Sequence, residues 1–287
     1  MNRSRVVQQS RGGGQWYPGE RHELESMVAA HIENAAVPAG MGRIVAITAP
    51  HAGYVYSGST AGHTFRALRD HAETFGQPET VVVLGFSHRR EFEGIALMGG
   101  DALLTPLGEI GLDREATDLL LSLDSLFALN NLPHDGEHSA ENEIPFIQQA
   151  LPGSKVVIGL FGGHGPEIED RVARSLVSLA EEKDIILVAS TDLLHDPDYA
   201  LVRETDQVTM AQMVAMDDQD LEDRWSPGFQ VCCGIRPVIT AIRFARHRGC
   251  AGGTKLAYRN SGDDDPESRG EWVVGYGSVA FSLSETS

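Results

Sequence analysis

Four nearly continuous apolar runs recur along the chain, and each has about the length of a β-strand. They are rich in β-branched and aliphatic residues. Such runs are typical of strands that are covered on both faces, as in a sheet flanked by helices. A fifth run, Val273–Ser282, alternates more and suits an edge or antiparallel strand. The four continuous runs are Arg43–Ala49, Thr80–Phe86, Lys155–Phe161 and Ile185–Ser190.

Helical patterns occupy the segments between these runs. Ser57 or Ser59 suits the N-cap of the helix after the first strand, and Asp113 suits the N-cap of a later one. The alternation predicts an α/β fold with a central mostly parallel or mixed sheet flanked by helices. We see no repeat or linker and expect a single domain over residues 1–287; the polar stretch 260–271 is predicted to be an exposed loop. The predicted helical segments are 57–71, 113–123, 141–151, 167–183, 204–218 and 233–249.

Polar residues follow the predicted strands at the points where they end. In open α/β sheets, ligands bind outside the carboxyl ends of the strands. One histidine at such a position is more often a capping group or a satisfied core residue. Several are harder to dismiss, because strand ends converge in space. The residues at these ends are His51, His88, His164, Ser190, Asp192 and His195.

The chemistry that suits such a group is metal binding. Neutral imidazole binds iron, zinc and copper, and two histidines with one anionic ligand are typical of non-haem iron sites. The residues leave the third ligand open among Asp192, Glu141 and Cys233. A thiolate would favour zinc, copper or iron over magnesium or calcium. Plain burial is the alternative for Cys233, and its neighbour Cys232 is the better candidate for packing.

The segment Gly136–Phe146 is the other dense polar stretch. Ser139 suits a helix cap there, so Glu141 and Glu143 could be ordinary first-turn residues favoured by the helix dipole. His138 precedes the helix, where a pocket could form. Tyr54 and Tyr56 follow His51 and could line a pocket, although packing is the commoner role for aromatic residues near a turn.

Composition narrows the classes of partner. The chain has 287 residues, of which 41 are acidic and 23 basic, and its formal net charge is −18. Such a surface repels phosphate backbones and anionic lipid, so we expect no nucleic acid and no membrane partner. Three cysteines do not make a disulfide framework. Neither a signal core nor a membrane-spanning run is evident, so we expect a cytoplasmic protein; homo-oligomer formation is left open.

Five segments in this order resemble the signature segments of the Memo family (mediator of ErbB2-driven cell motility). They are "APHAGYVYSG", "LGFSH", "DGEHSAENEIPF", "STDLLHD" and "CGIRP", and "GGGQWYP" resembles the family's opening segment. That family is similar in fold to class III, LigB-type extradiol ring-cleaving dioxygenases. Phe86, Arg89 and Glu143 depart from residues common in the family.

The resemblance implies a metal site of two histidines and a cysteine, which carry over to His51, His88 and Cys233. It also implies that Asp192 and His195 lie close by. Iron is the favoured metal, with copper and zinc as alternatives. His138 and Glu141 match a pocket segment of the family, and we take them with Asp192 and His195 as the candidate catalytic residues.

Three functions remain open at this point. The first is an Fe(II)-dependent, dioxygenase-like enzyme that acts with dioxygen on a small organic substrate, aromatic ones included, with His195 as acid or base. The second is a non-catalytic binding or adaptor protein of the Memo type. The third is a metallohydrolase in which zinc activates water, with Glu141 or His195 as base.

Overall fold

A nine-stranded mixed sheet forms the centre of the protein. The structure, a computed structural model, describes residues 4–163 and 168–284. The strands are β1 (Val7–Gln9), β2 (Ile44–Ala49), β3 (Thr80–Phe86), β4 (Ile95–Leu97), β5 (Ala102–Thr105), β6 (Gly108–Gly111), β7 (Phe127–Leu129), β8 (Lys155–Phe161), β9 (Ile185–Ser190), β10 (His195–Asp196), β11 (Gly253–Asn260) and β12 (Val273–Ser282). Their order in the large sheet is β10-β12-β2-β9-β3-β8-β4-β7, with β11 also paired to β12. The strands β1, β5 and β6 form a separate small sheet.

The four continuous apolar runs are the parallel centre of the sheet, β2-β9-β3-β8. Neighbouring residues of a strand point to opposite faces. Val81 and Val83 of β3 therefore join the hydrophobic cluster on one face, and Val82 and Leu84 join the cluster on the other. Burial on both faces explains why these strands read as unbroken apolar runs.

Helices cover both faces, and the predicted α/β architecture with a mixed, helix-flanked sheet is confirmed. The first two helices and the fourth contribute to one cluster, and the third and the fifth to eighth contribute to the other. The helices are α1 (Arg21–Asn34), α2 (Tyr54–Phe75), α3 (Arg114–Leu123), α4 (Ile144–Ala150), α5 (Ile168–Glu182), α6 (Tyr199–Ala215), α7 (Asp218–Arg224), α8 (Ile235–His247) and α9 (Ser261–Asp264), with short 3-10 helices at Glu141–Glu143 and Pro266–Ser268.

Several local expectations are corrected. Asp113 does cap α3, accepting the backbone N–H of Ala116. The cap expected at Ser57 or Ser59 is wrong, because α2 already begins at Tyr54 with Gly53 as its N-cap. The edge position considered for β12 is also wrong: the strand is antiparallel, but it pairs on both sides.

The polar stretch 260–271 is more ordered than a plain loop. It contains α9 and the second 3-10 helix, and Asn260 caps α9 by accepting the N–H of Asp263. Within the part of the chain that the structure describes, none of the helices combines the length and the apolar composition that crossing a bilayer requires.

The topology places three predicted strand ends side by side. Because β2, β9 and β3 are parallel neighbours, their carboxyl ends meet at one edge of the sheet. His51, Asp192 and His88 follow those three ends. The predicted strand-end residue His164 lies outside the described residues.

Candidate metal centre and its pocket

His51 is the most deeply buried of the candidate ligands. It follows β2 after Pro50, and only 1% of its surface is exposed. Its backbone N–H donates to Asp192 Oδ1 at 2.9 Å, and its carbonyl accepts from Asn142 Nδ2 at 2.6 Å. Its ring Nδ1 lies 2.9 Å from Ser190 Oγ, which leaves Nε2 pointing at Cys233 Sγ, 3.2 Å away. Burial, together with the nearby His138 and His88, lowers the pKa of His51 well below its usual value, so the ring is neutral.

His88 stands at the end of β3 and is held by a residue that the sequence interpretation overlooked, Glu137. The Glu137 carboxylate accepts the backbone N–H of His88 at 2.7 Å and lies 3.0 Å from the ring Nδ1 of His88. It also accepts the backbone N–H groups of His138 and Ser139. With Nδ1 held by a carboxylate, the Nε2 of His88 is the nitrogen left for a metal, the arrangement commonly found behind metal-binding histidines.

Glu137 and His88 stabilise each other's charged form. The His138 ring Nδ1 lies 3.3 Å from Glu137 Oε1. Burial opposes the charge on Glu137, but the side chains of His138 and His88 outweigh it and hold its pKa well below the usual range. Burial likewise opposes the charge on His88, but hydrogen bonds to Cys233 and Glu137 raise its pKa to about 10. A metal ion that binds here must therefore displace a proton.

Cys233 reaches the same point from the start of α8. Its backbone N–H donates to the Asp192 carbonyl at 3.1 Å, and its Sγ accepts the Asp192 N–H at 3.3 Å. The approach depends on Gly234, because a Cβ at that position would lie 2.4 Å from the Ser190 carbonyl oxygen. Burial raises the pKa of Cys233. Cys232 is fully buried in the core cluster, as expected for a packing residue.

The side chains of His51, His88 and Cys233 can each offer one ligand atom, and these atoms lie within 4.8 Å of one another. The other ring nitrogen of each histidine is anchored to Ser190 or Glu137, so the free nitrogens converge with the sulfur. Two imidazoles and a thiol are a donor set for iron, copper or zinc rather than for magnesium or calcium. The residues therefore fit iron, which the family resemblance favours, and equally its alternatives copper and zinc. A second group has potential ligand atoms that are equally close to one another and shares His88 with the first. It consists of His88, Glu137 and His138.

Asp192 lies beside these residues without being one of the three. Its Oδ1 accepts the backbone N–H groups of His51 and Ala52, at 2.9 and 3.3 Å. Burial raises its pKa to about 7, partly offset by those hydrogen bonds. A carboxyl group with such a pKa can take up or release a proton near neutral pH.

A pocket of about 1100 Å³ opens beside two of the three residues, and His51, His88, Asp192 and His195 line it. His138 forms part of its wall, where its ring stacks on Trp16 with centroids 3.8 Å apart. His195 is open to the pocket and lies edge-on to Trp272 at 6.4 Å. Although the His195 side chain is exposed to the pocket, partial desolvation there and the nearby His88 and His138 lower its pKa to about 4, so the ring is a neutral base near pH 7. Aromatic walls with a few convergent polar groups are typical of small-molecule sites.

The two predicted pocket tyrosines differ in their exposure. Tyr54 lines the pocket, but its ring is buried against Phe146 and its hydroxyl donates to the Asn142 carbonyl at 2.6 Å. Tyr56 is 59% exposed at the pocket mouth.

Glu141 does not join the centre. Its Oε1 accepts the backbone N–H groups of Arg11 and Gly12, at 2.8 and 2.7 Å, and lies 3.2 Å from the Tyr17 hydroxyl. It thereby anchors the N-terminal segment that carries Trp16. Its expected catalytic role, and its place among the possible third ligands, are not supported by this position.

The roles of three residues around the centre were not predicted from the sequence. Glu137 carried a usable signal, because an acid next to a histidine at a candidate site commonly orients it. Trp16 lies in the quoted "GGGQWYP" segment but is far from the other motifs in the chain. Ser139 was expected to cap a helix; instead its hydroxyl bridges the backbone of Phe86, donating to the carbonyl at 2.7 Å. Such contacts depend on tertiary structure.

Comparison with known proteins finds relatives along nearly the whole chain. A family model described as Memo-like protein matches residues 8–280. The chain is 30% identical over 294 residues to MEMO1 family protein MK0963 of Methanopyrus kandleri, covering 98% of this chain and 99% of that protein. It is 30% identical over 288 residues to a MEMO1 family protein of Thermococcus onnurineus, covering 93% and 97%. Among solved structures, the uncharacterized protein JW3007 of Escherichia coli K12 has a TM-score of 0.50 at 15% identity, covering 83% of this chain and 99% of that one, a likeness of fold.

Proposed function

We propose a function for this chain from the premise that it belongs to the Memo-like protein family. The chain is a metalloprotein that binds one redox-active metal ion through His51, His88 and Cys233. Iron(II) is the preferred metal, and copper is the alternative. It acts as a dioxygenase-like enzyme on a small organic substrate, with aromatic compounds as the first class to test. The observation that carries the proposal is the convergence of the three donor atoms within 4.8 Å, at a point where His51 and His88 line the aromatic pocket.

The donor set supports a redox metal. A thiolate and two neutral imidazoles are soft and borderline ligands, and they suit iron and copper. When bound, iron would supply electrons to dioxygen and open positions beside the three ligands. The Cys233 thiolate takes the place of the carboxylate in the usual iron facial triad. Asp192 lies beside His51 and is assigned to proton transfer, with no role as a metal ligand.

The chain's own residues provide proton transfer and substrate placement. Asp192, with its pKa raised to about 7, can give up a proton, and neutral His195 can accept one from a substrate hydroxyl or N–H. Trp16 lines the pocket and is held by its stack on His138, so its ring can contact an aromatic substrate there.

The first experiment identifies the metal. The protein is purified without oxygen, its metal content is measured, and oxygen uptake is screened with catechols and other small aromatic compounds. We expect about one iron per chain in the wild type and substrate-dependent oxygen uptake. Iron below one tenth of that content, or loaded protein that consumes no oxygen with any substrate, contradicts the oxygenase proposal.

Matched variants locate the metal. His51→Ala, His88→Ala and Cys233→Ala are each expected to lose bound iron. His22→Ala, at an exposed position in α1, and Cys232→Ala, next to Cys233 but buried in the core, are the controls and should keep it. Retention of iron by Cys233→Ala would assign the third ligand elsewhere.

Zinc-dependent hydrolysis, the third function that the sequence left open, is the alternative that the donor set favours. Two imidazoles and a thiolate also form a catalytic zinc site when a position is left for water, and the neutral His195 could serve as the base. Zinc in protein that was purified without oxygen, together with ester or amide hydrolysis that a chelator abolishes, would support this reading over the first.

A further inference from the structure

Three groups crowd around the hydroxyl of Ser190. Its Oγ lies 2.9 Å from His51 Nδ1, 2.5 Å from the Ser139 carbonyl oxygen and 2.7 Å from Glu143 Oε1. Ser190 is completely buried. All three distances are within hydrogen-bonding range, so each contact between Ser190 and one of these three neighbours needs one hydrogen.

Counting the hydrogens leaves one consistent arrangement. A serine hydroxyl has one hydrogen to donate and two lone pairs to accept with. The Ser139 carbonyl can only accept, so it takes the hydrogen of Ser190. The other two neighbours must then donate to Ser190, which requires a hydrogen on His51 Nδ1 and a hydrogen on Glu143 Oε1.

The surroundings of Glu143 agree with a neutral carboxyl group. It is 1% exposed, and its second oxygen, Oε2, has no hydrogen-bond partner among the described residues. Asp192 lies close enough to disfavour a second negative charge. Burial raises the pKa of Glu143 well above its usual value, and the hydrogen bond with Ser190 offsets only part of that rise. An ionised carboxylate with one unsatisfied oxygen would be costly at such a position.

We propose that Glu143 is a positioning residue that stays protonated and donates its hydrogen to Ser190, which fixes His51 as the Nδ1–H tautomer and leaves its Nε2 lone pair for the metal. The inference rests on the proposed metal centre, because it assigns His51 Nε2 as a ligand atom. Glu143 acts through Ser190 and touches neither metal nor substrate. Glu143 therefore acts as a hydrogen-bond donor to Ser190, and this role does not require a charged carboxylate.

The proton itself can be observed. Infrared difference spectra of the metal-free wild type against Glu143→Gln, near neutral pH, should show the C=O band of a protonated carboxylic acid that the variant loses. Asp192→Asn and Asp206→Asn are the matched controls, since both of those carboxyl groups are also buried. Nitrogen-15 spectra of labelled histidine should show His51 protonated at Nδ1. A band that persists in Glu143→Gln, or a hydrogen on His51 Nε2, overturns the proposal.

Metal affinity tests the consequence with Zn²⁺ as the probe, in competition with a chromophoric chelator. Glu143→Gln keeps a neutral side chain with a hydrogen to donate, and its affinity should stay close to that of the wild type. Glu143→Leu has no hydrogen to donate, and its affinity should fall about tenfold. An equal fall in both variants would show that Glu143 works through its charge or its shape, and would refute the inference.

The two proposals fail in different ways. If the wild type bound neither iron nor Zn²⁺, the proposed function would fall, while the infrared and nitrogen-15 spectra of the metal-free protein would still decide the state of Glu143 and His51. If the wild type bound metal and Glu143 proved ionised, the metal centre would stand and this inference alone would fall.

Discussion

Replacing Glu137 with glutamine tests how the centre is held together. Oε1 of Glu137 receives three donors: the ring Nδ1 of His88 at 3.0 Å and the backbone N–H groups of His138 and Ser139 at 2.9 and 3.0 Å. Oε2 receives one, the backbone N–H of His88 at 2.7 Å. Glutamine can keep its oxygen on the three donors, but its NH₂ group must then face the backbone N–H of His88.

The size of the effect follows from this geometry. One buried donor is left without an acceptor, which costs about 1–3 kcal/mol in the free energy of unfolding. The hydrogen bond to the His88 ring also loses its negative acceptor, and changes of this kind lower metal affinity by about 10–100-fold. That range corresponds to about 1.4–2.8 kcal/mol of binding free energy.

Metal titration and denaturant unfolding, carried out on the same preparations, separate the two effects. Glu141→Gln is the matched control, because Glu141 is equally buried and also accepts two backbone N–H groups but contacts neither histidine. We expect both variants to lose stability and only Glu137→Gln to lose metal affinity. Equal metal affinities in the two variants would refute the reasoning.

Further predictions concern pH, packing and the pocket. Burial raises the pKa of Asp206 to about 7, so the folded state keeps a proton that the unfolded chain releases near pH 3.8. The contribution of Asp206 to stability should fall as pH rises from about 4 to about 7, so Asp206→Asn should change the pH profile relative to the wild type by up to about 4 kcal/mol; identical pH profiles in denaturant titrations would contradict this. Gly234→Ala should abolish metal binding, because its Cβ would strike the Ser190 carbonyl; normal metal content would refute the packing argument. Trp16→Leu removes the stack on His138, and we expect the dissociation constant for catechol to rise about threefold or more, measured by calorimetry; unchanged affinity would place the substrate elsewhere.

Much of the fold could be predicted because burial on both faces leaves a plain signal. The runs that became β3, β8 and β9 were predicted to the residue, since a strand covered on both sides carries apolar side chains at nearly every position. The start of α2 and the helix within 260–271 were missed. A glycine cap and a four-residue helix leave little pattern in the sequence.

The sequence by itself determined the fold class, the family segments and the identity of the residues at the strand ends, because these depend on residue type and on order along the chain. Tertiary structure alone decided which partners complete the centre. Glu137 holds His88 from 49 positions away, Glu143 reaches Ser190 across 47, and Cys233 meets His51 across 182. Contacts between such distant residues arise from how the parallel strands align their ends, and periodicity, which reports only local burial, carries no record of them.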